Sequence, residues 1–464
     1  MSLKLYNSLN REIEKFVPII DGKVGLYTCG PTVYDYSHIG NFRTFIFEDL
    51  LKRWLIHLGY DVNHVMNITD IDDKTIKKAK KRGVNLSEIT NKYSEHFLKD
   101  LNWLKMIPAN SYPKATDHIK DMVQMIEVLI DKDFAYCQDD GSVYFNIRSF
   151  SNYGILTRLK LSKQILTDRI VDDEYDKDNP QDFALWKAWK ESDGDIYWDS
   201  PWGKGRPGWH IECSAMSTVA LGDHFDIHCG GVDNMFPHHE NEIAQSQCAN
   251  DGPFVNIWLH SEHLMVDGGK MSKSMGNYYR ISDLKRLGFT PECVRFQLLS
   301  GHYRSKINFS IEKKHEGDRI AQRVSEFYAR LKKENASKFA NNIYPAEYKE
   351  FRKNMNNDLD TPKSLAVFFD WMKIINMQLD QKSISSDDLG KSWEFLKVFD
   401  SIFGFIKTSI VENIPEDIQN ILKKRAIARE NNDWEKSDFL REALKKSGWV
   451  VEDTPEGQNL KKQV

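Results

Sequence analysis

Between Trp209 and Glu242 the sequence gathers Cys213, Cys229, His238, His239, Glu240 and Glu242, residue types that bind soft or borderline metal ions. Pro237 suits the first turn of a helix, and a helix beginning there puts His238 and Glu242 at i and i+4, one above the other on one face. An imidazole and a carboxylate so placed can grip one ion. Cys213 adds a thiolate, the ligand that favours zinc over magnesium or calcium. A fourth ligand has to come from elsewhere in the chain. The same His-His-Glu-Asn-Glu run also describes the polar start of a helix, with carboxylates facing the positive end of its dipole. The stretch alone leaves both readings open.

Two further segments have the composition of phosphate sites. In His38-Ile39-Gly40-Asn41, at the start of a helical pattern, an imidazole, a glycine allowing close approach and free helix amides could all face phosphate. In Val266-Asp-Gly-Gly-Lys-Met-Ser-Lys-Ser-Met-Gly-Asn277, glycines flank two lysines and two serines. Such a loop can close over a polyphosphate as charge develops on it. Taken singly, the first is a weak four-residue match and the second also fits an exposed basic loop.

The elements that must hold these groups can be read from periodicity. Lys23 to Cys29 reads as a strand ending in the turn Gly30-Pro31-Thr32, Asn41 to Leu58 as an amphipathic helix, and Asp61 to Ile68 as a second strand. A strand, helix, strand unit builds a parallel sheet and binds ligands beyond the carboxyl ends of its strands, where Cys29 and Thr69 fall. Neither the Gly-x-Gly-x-x-Gly fingerprint nor the Gly-x-x-x-x-Gly-Lys-Ser/Thr loop is present, so a nucleotide would need another device. From about Ser111 to Pro207 a helix (Ile119 to Ile130), a short strand (Gly141 to Asn146) and a polar loop (Asp172 to Asp182) read as an insertion between two halves of the nucleotide-binding domain. It carries no nucleophile constellation of an editing hydrolase. After Ser310 the texture changes to amphipathic helices, Ser310 to Glu334, Ala346 to Asn356, Thr361 to Leu379 and Ser386 to Phe403, as in a helical bundle. The tail from Pro415 reads as one more helix, Ile418 to Ser447, with Lys423, Lys424, Arg425, Arg429, Lys436 and Arg441 as a basic stripe and Trp434 available to stack on an unpaired base.

Composition bounds the class. The chain has 464 residues, 41% hydrophobic and 28% charged, with a net charge of -4. That length implies about two to four domains, and that charge excludes a uniformly basic nucleic-acid coat, so a polyanion must meet a local patch. The densest basic run is Lys74 to Arg82. No stretch is apolar enough to span a membrane, the N-terminus lacks a signal-peptide layout, and the six cysteines include no Cys-x-x-Cys pair. A cytoplasmic protein with reduced thiols is expected.

The Lys270-Met-Ser-Lys-Ser274 loop, with His38-Ile-Gly-Asn41, resembles the signatures of the class I aminoacyl-tRNA synthetases. Within them Tyr27-Thr-Cys-Gly-Pro-Thr-Val-Tyr34, Asn67-Ile-Thr-Asp-Ile-Asp-Asp-Lys74, Asp182-Phe-Ala-Leu-Trp-Lys187, Gly208-Trp-His-Ile-Glu-Cys213 and Phe236-Pro-His-His-Glu-Asn-Glu242, in that order, are similar to the cysteinyl-tRNA synthetase family. The resemblance implies an α/β, Rossmann-like parallel-sheet catalytic domain with an insertion, then a helical bundle and a small anticodon-binding tail. Its boundaries fall at 1-110 and 208-265 for the two catalytic halves, 111-207 for the insertion, 266-309 for the signature loop and tRNA-stem region, 310-405 for the bundle and 406-464 for the tail. It implies one zinc held by Cys29, Cys213, His238 and Glu242, the first of which supplies the missing ligand. His239 and Glu240 would then support the ligands and Cys229 would pack. It implies further that His38, Gly40, Asn41, Lys270 and Lys273 bind ATP with Mg2+. Of these, His38, Asn41, Lys270 and Lys273 would carry the chemistry, while Thr69, Trp209 and Asp233 surround the amino acid. The partners implied are ATP, L-cysteine and cysteine tRNA, met by a monomer with no membrane. The chain departs from the signature at Asn41, usually histidine, and at Cys229, where glycine is expected. A related ligase joining cysteine to an amino sugar would lack the bundle and tail, and a zinc-stabilised RNA-binding protein would leave the lysine loop idle.

Overall fold

The computed structural model describes residues 2–158, 182–272, 275–407, 416–431, 433–454 and 457–462, divided into two compact units, Met1–Ile406 and Lys407–Val464. Most of the polar loop expected at 172–182, together with Lys273 and Ser274, lies outside the described residues.

In the first unit a hairpin of β1 (Lys4–Asn7) and β2 (Glu12–Lys15) precedes β3 (Lys23–Thr28), α1 (Ile39–His57), β4 (Asp61–Met66), α2 (Asp73–Arg82) and α3 (Leu86–Trp103). After α4 (Ile119–Asp131) come β5 (Ala135–Cys137), β6 (Val143–Phe145), β7 (Phe183–Ala188) and β8 (Gly205–Pro207), an antiparallel sheet in chain order. The sequence reading found one of these four strands. Its apolar face, including Val143, Phe145, Leu185 and Trp186, packs with Met122, Ile126 and Leu129 of α4. The chain then re-enters the first core through α5 (Trp209–Leu221), β9 (Phe225–Gly231), α6 (Glu240–Asn250) and β10 (Val255–Ser261).

The central sheet has the order β10-β9-β3-β4, every neighbour parallel. From β3 the chain crosses outward to β4, and from β9 it crosses the opposite way to β10. The crevice at their carboxyl ends is therefore the switch point where α/β sheets bind ligands. Seven consecutive buried residues in β9 suit a strand covered on both faces. Beyond β10, β11 (Leu264–Val266) pairs with β12 (Gly269–Lys270) and later with β13 (Ile307–Phe309), and this small sheet carries the root of the lysine loop. Two short helices, α7 (Ile281–Arg286) and α8 (Pro291–Leu299), intervene; Thr290 caps α8 by accepting from Cys293 N, with proline in its first turn.

The expected bundle is present as α9 (Lys314–Lys333), α10 (Ala346–Met355), α11 (Thr361–Asp380) and α12 (Ser386–Phe403). An aromatic seam of Phe351, Phe368, Trp371, Phe395 and Phe399 fills it, with Phe368 and Phe399 stacked. The turn before α11 ties it to the N-terminal strand. Asp358 accepts from Tyr6 N at 2.8 Å, Tyr303 OH at 2.6 Å and Arg304 Nε at 2.7 Å, and Asp360 caps α11 at Lys363 N.

The second unit corrects the expected single helix from Ile418 to Ser447. It contains α13 (Glu416–Glu430) and α14 (Trp434–Lys446), followed by a hairpin of β14 (Trp449–Thr454) and β15 (Gly457–Lys462). The break falls at the sequence Asn431-Asn-Asp433, and Asp433 caps the second helix at Lys436 N, a position where its carboxylate is worth more than inside a helix. Arg425 is also corrected. Instead of joining an exposed stripe it is buried, reaching Asp453 with two bonds of 2.9 Å. Lys423 and Lys424 are exposed, and the Arg429 guanidinium lies 5.5 Å from the half-exposed Trp434 ring.

Candidate active site and metal centre

A cavity of about 1330 Å³ opens at the switch point. Among the residues singled out from sequence, Cys29, His38, Gly40, Asn41, Trp209, Asp233 and Lys270 line it. Thr69 does not. It is buried one layer behind the wall, where its hydroxyl accepts from Asn67 Nδ2 at 3.2 Å. Lys273 falls outside the described residues.

Against the cavity wall at Cys29, the residues Cys29, Cys213, His238 and Glu242 are all buried and each offers a donor atom within 4.8 Å of the others. Three elements bring them together: the end of β3, the first turns of α5, and the entry to α6. The helix expected from Pro237 begins instead at Glu240, after a wide turn over Met235–His239 in which Phe236 is extended. This turn leaves His238 and Glu242 in contact, Nε2 to Oε1, at 3.0 Å, and buries His239 as well. A second group shares two of the donors: Cys29, His228, His239 and Glu242. His228 Nε2 is 2.9 Å from Glu242 Oε2, and His239 Nε2 is 3.3 Å from Cys29 Sγ.

Around both groups lies a layer of buried imidazoles that sequence reasoning missed. His210 Nδ1 meets His238 Nδ1 at 2.9 Å, and His239 Nδ1 meets His260 Nε2 at 2.8 Å, with His260 Nδ1 in turn 2.8 Å from Ser8 Oγ. Burial pushes His210, His228 and His260 down to about 3, so each is a neutral ring that donates from one nitrogen only. The Trp209 ring stacks on His238 at 4.3 Å and Trp258 on His228 at 4.6 Å, fixing both planes. The available signal was positional: His228 and His260 belong to neighbouring parallel strands whose ends meet at the crevice. Glu240 faces away from the cluster and accepts from Gly154 N, Thr157 N and Thr157 Oγ1, while Cys229 is a buried packing residue in the central core.

The donor set fits a soft dication. Burial pushes the Cys29 thiol well up and the Glu242 carboxyl up to about 7, against the pull of His238, so the anionic forms lack compensation from the protein alone. A divalent cation would supply that charge, and sulfur with imidazole suits zinc better than magnesium or calcium.

At the other end of the cavity His38 caps α1. Its Nδ1 accepts from Asn41 N at 3.3 Å, while Asn41 Oδ1 accepts from His38 N at 3.0 Å. This gives the departure at Asn41 a local use, and it corrects the expectation of free helix amides. Ile39 N donates to Tyr279 O and Asn41 N is taken by the cap, which leaves the Gly40 N–H without an acceptor among the described residues. A Cβ at Gly40 would lie 3.0 Å from His38 Nδ1 and from Met271 Cε, so the close packing of the two signature segments leaves little room for a side chain there. Likewise a Cβ at Gly231 would collide with the Asp233 carboxylate.

The sheet order and these signature segments define a class I aminoacyl-tRNA synthetase. The same fold occurs in *Mycobacterium tuberculosis* methionyl-tRNA synthetase bound by methionyl-adenylate (TM-score 0.59, 12% identity, 82% of this chain and 92% of that one). It also occurs in the leucyl enzyme of an *Agrobacterium radiobacter* ternary complex with tRNA and LeuAMS (TM-score 0.60, 12% identity, 84% and 85%). Residues 15–318 match the tRNA synthetases class I (C) catalytic domain, 350–407 the DALR domain and 412–459 the cysteinyl-tRNA ligase anticodon binding domain. Over their full lengths the chain is 46% identical to the cysteine-tRNA ligase of *Chlamydia muridarum*, and it is 46% identical to that of *Brachyspira hyodysenteriae* over 99% of both chains. The chain belongs to the cysteine-tRNA ligase family. It activates L-cysteine with ATP and transfers the cysteinyl group to tRNA. No helix among the described residues is long and apolar enough to cross a membrane.

Proposed function

We propose that this ligase selects its amino acid through a zinc ion held by Cys29, Cys213, His238 and Glu242, and that the observation carrying this reading is the burial of four convergent donors against the cavity wall at Cys29. Zinc bound there supplies a soft Lewis acid that favours the substrate's sulfur as a thiolate. The two-cysteine group is preferred to the one with His228 and His239 because it offers zinc two thiolates, the soft ligands that suit it best. In this reading His228 donates to Glu242 and His239 to Cys29, orienting the ligands. Cys29 is the member of the four that lines the cavity, so the amino acid approaches past its sulfur.

The remaining groups act on the other ends of the substrates. The Asp233 carboxylate receives the ammonium group, and Trp209 forms a wall while holding the plane of His238. Thr69 acts from behind the wall, through the turn it shares with Asn67. Because His38 Nδ1 is an acceptor, its ring proton sits on Nε2, and this N–H joins the Gly40 amide, the Asn41 carboxamide and Lys270 in holding the phosphates of MgATP. The cysteine carboxylate attacks the α-phosphorus in line and pyrophosphate leaves. A hydroxyl of the terminal ribose then attacks the acyl carbon and AMP leaves. Positioning and charge stabilisation carry both steps. This reading keeps the expected division into catalytic halves, insertion, signature-loop region, bundle and tail, and takes the enzyme to act as a cytoplasmic monomer; its cysteines, all unpaired, suit a reducing compartment.

Elemental analysis tests the ligand set. About one zinc per chain is expected, lost or weakened in Cys29→Ser, Cys213→Ser and His238→Ala but retained in Cys137→Ser and Cys293→Ser. Full occupancy in Cys213→Ser would overturn the assignment and favour the group containing His228 and His239. The tail has its own test. A chain ending at Ile406 should keep cysteine activation but lose efficient charging of tRNA and part of the salt dependence of tRNA binding. Charging equal to that of the whole chain would remove the tail from tRNA recognition.

A further inference from the structure

Residues two apart on a helix lie about 200° around its axis, so Glu240 and Glu242, both in the first turn of α6, face opposite ways. Glu242 turns to the donor group. Glu240 turns to the chain that follows β6, where residues 151–158 run as successive turns outside any sheet. Backbone amides buried in such a segment need acceptors from elsewhere. The Glu240 carboxylate is that acceptor: Gly154 N donates to its Oε1 at 2.9 Å, while Thr157 N and Thr157 Oγ1 donate to its Oε2 at 2.9 and 2.8 Å. Next to it, Asn241 Oδ1 accepts from the buried Tyr153 hydroxyl.

The segment is held from two other directions as well. Leu156 is fully buried in the apolar cluster that contains Cys29, Cys213 and Ile243 of α6. Arg11 donates to Thr157 O at 3.3 Å and Arg158 to Leu9 O at 3.0 Å, which ties the segment to the turn between β1 and β2, where Ser8 meets His260. We infer that residues 153–158 form part of the metal centre, and that Glu240 is the positioning residue through which they hold the first turn of α6, and with it Glu242, against Cys29 and Cys213. The inference rests on the reading that zinc occupies the four-donor group. A metal that fixes His238 and Glu242 fixes the turn carrying Glu240, and the docked segment fixes the same turn from its other side. Zinc binding and docking of the segment therefore favour each other by the same factor. An alanine at Glu240 would break the link and leave three donors without their acceptor.

Two measurements on the full-length enzyme test the link: zinc transfer to an excess of a chromophoric chelator, and hydrogen exchange of the amides at 153–157. Glu240→Ala and Leu156→Ala should each weaken zinc binding about 10-fold to 10²-fold, the scale for removing a group that orients a metal ligand, and should raise KM for cysteine with KM for ATP within about 2-fold of the parent. Glu240→Gln, which keeps one acceptor oxygen, should recover part of the loss. In the parent, stripping zinc should speed exchange at 153–157 about 10-fold or more while the amides of α11 keep their rate, and in Glu240→Ala exchange should be fast with or without zinc. If Glu240→Ala does not fold, Tyr153→Phe and Thr157→Val, each losing one side-chain bond, should shift both measurements less but in the same direction. A parent enzyme that holds no zinc would end the reading of the metal site itself. Zinc held equally by parent and variants, or exchange at 153–157 that is indifferent to zinc in the parent, would overturn the role of Glu240 and of the segment.

Discussion

Zinc-loaded enzyme will activate cysteine over serine by ~10⁴ in kcat/KM, with no separate editing step, an effect of roughly 5 to 6 kcal/mol. The two amino acids differ by sulfur for oxygen, a change that an apolar pocket rejects only weakly by shape. In the proposed site the end of the side chain would meet a metal held by Cys29, Cys213, His238 and Glu242, a donor set that burial leaves in need of a cation. A cysteine thiol ionises readily beside such a cation, whereas a serine hydroxyl stays neutral and binds it poorly. Exchange rates with each amino acid, together with a search for hydrolysis of seryl-tRNA, check the expectation. A preference of only ~10-fold, or substantial seryl-tRNA hydrolysis, would mean that rejection lies elsewhere.

Lys273→Ala will lower kcat for cysteine-dependent exchange by about 10²–10³, the scale for removing one donor aimed at developing charge, while cysteine binding stays close to normal. Lys273 belongs to the Lys-Met-Ser-Lys-Ser run, whose root is fastened by Asn277 to β11 and β12. In the proposed mechanism Lys273 supplies its ammonium to charge that develops on the phosphates. Single-turnover adenylate formation at saturating ATP isolates the chemical step. An unchanged rate would remove Lys273 from it.

Much of this site was readable from sequence because its parts carry their chemistry in local runs. Strand periodicity put Cys29 at a carboxyl end, helical spacing paired His238 with Glu242, and both relations hold although α6 starts three residues later than expected. The imidazoles of His210, His228 and His260 were not readable. They come from three elements, and their meeting depends on β9 lying between β3 and β10, an order that no local period encodes. Asn41 looked like a weakened phosphate ligand until its bond with the His38 amide gave it a capping role. In the tail, the expected single helix from Ile418 to Ser447 passed over the break that Asp433 marks by capping the second helix at Lys436 N. Arg425 looked solvated because its partner Asp453 arrives only through the terminal hairpin.

The central claim is that the buried quartet presents a metal to the substrate's sulfur, and cobalt in place of zinc reports on it directly. The near-ultraviolet charge-transfer absorption of cobalt scales with the number of thiolates bound. The enzyme alone should carry the intensity of two, from Cys29 and Cys213, and Cys213→Ser should reduce it. Adding cysteine to the intact enzyme should raise the intensity by about one further thiolate, and adding serine should leave it unchanged. A spectrum indifferent to cysteine, in enzyme that still prefers cysteine to serine, would contradict the account.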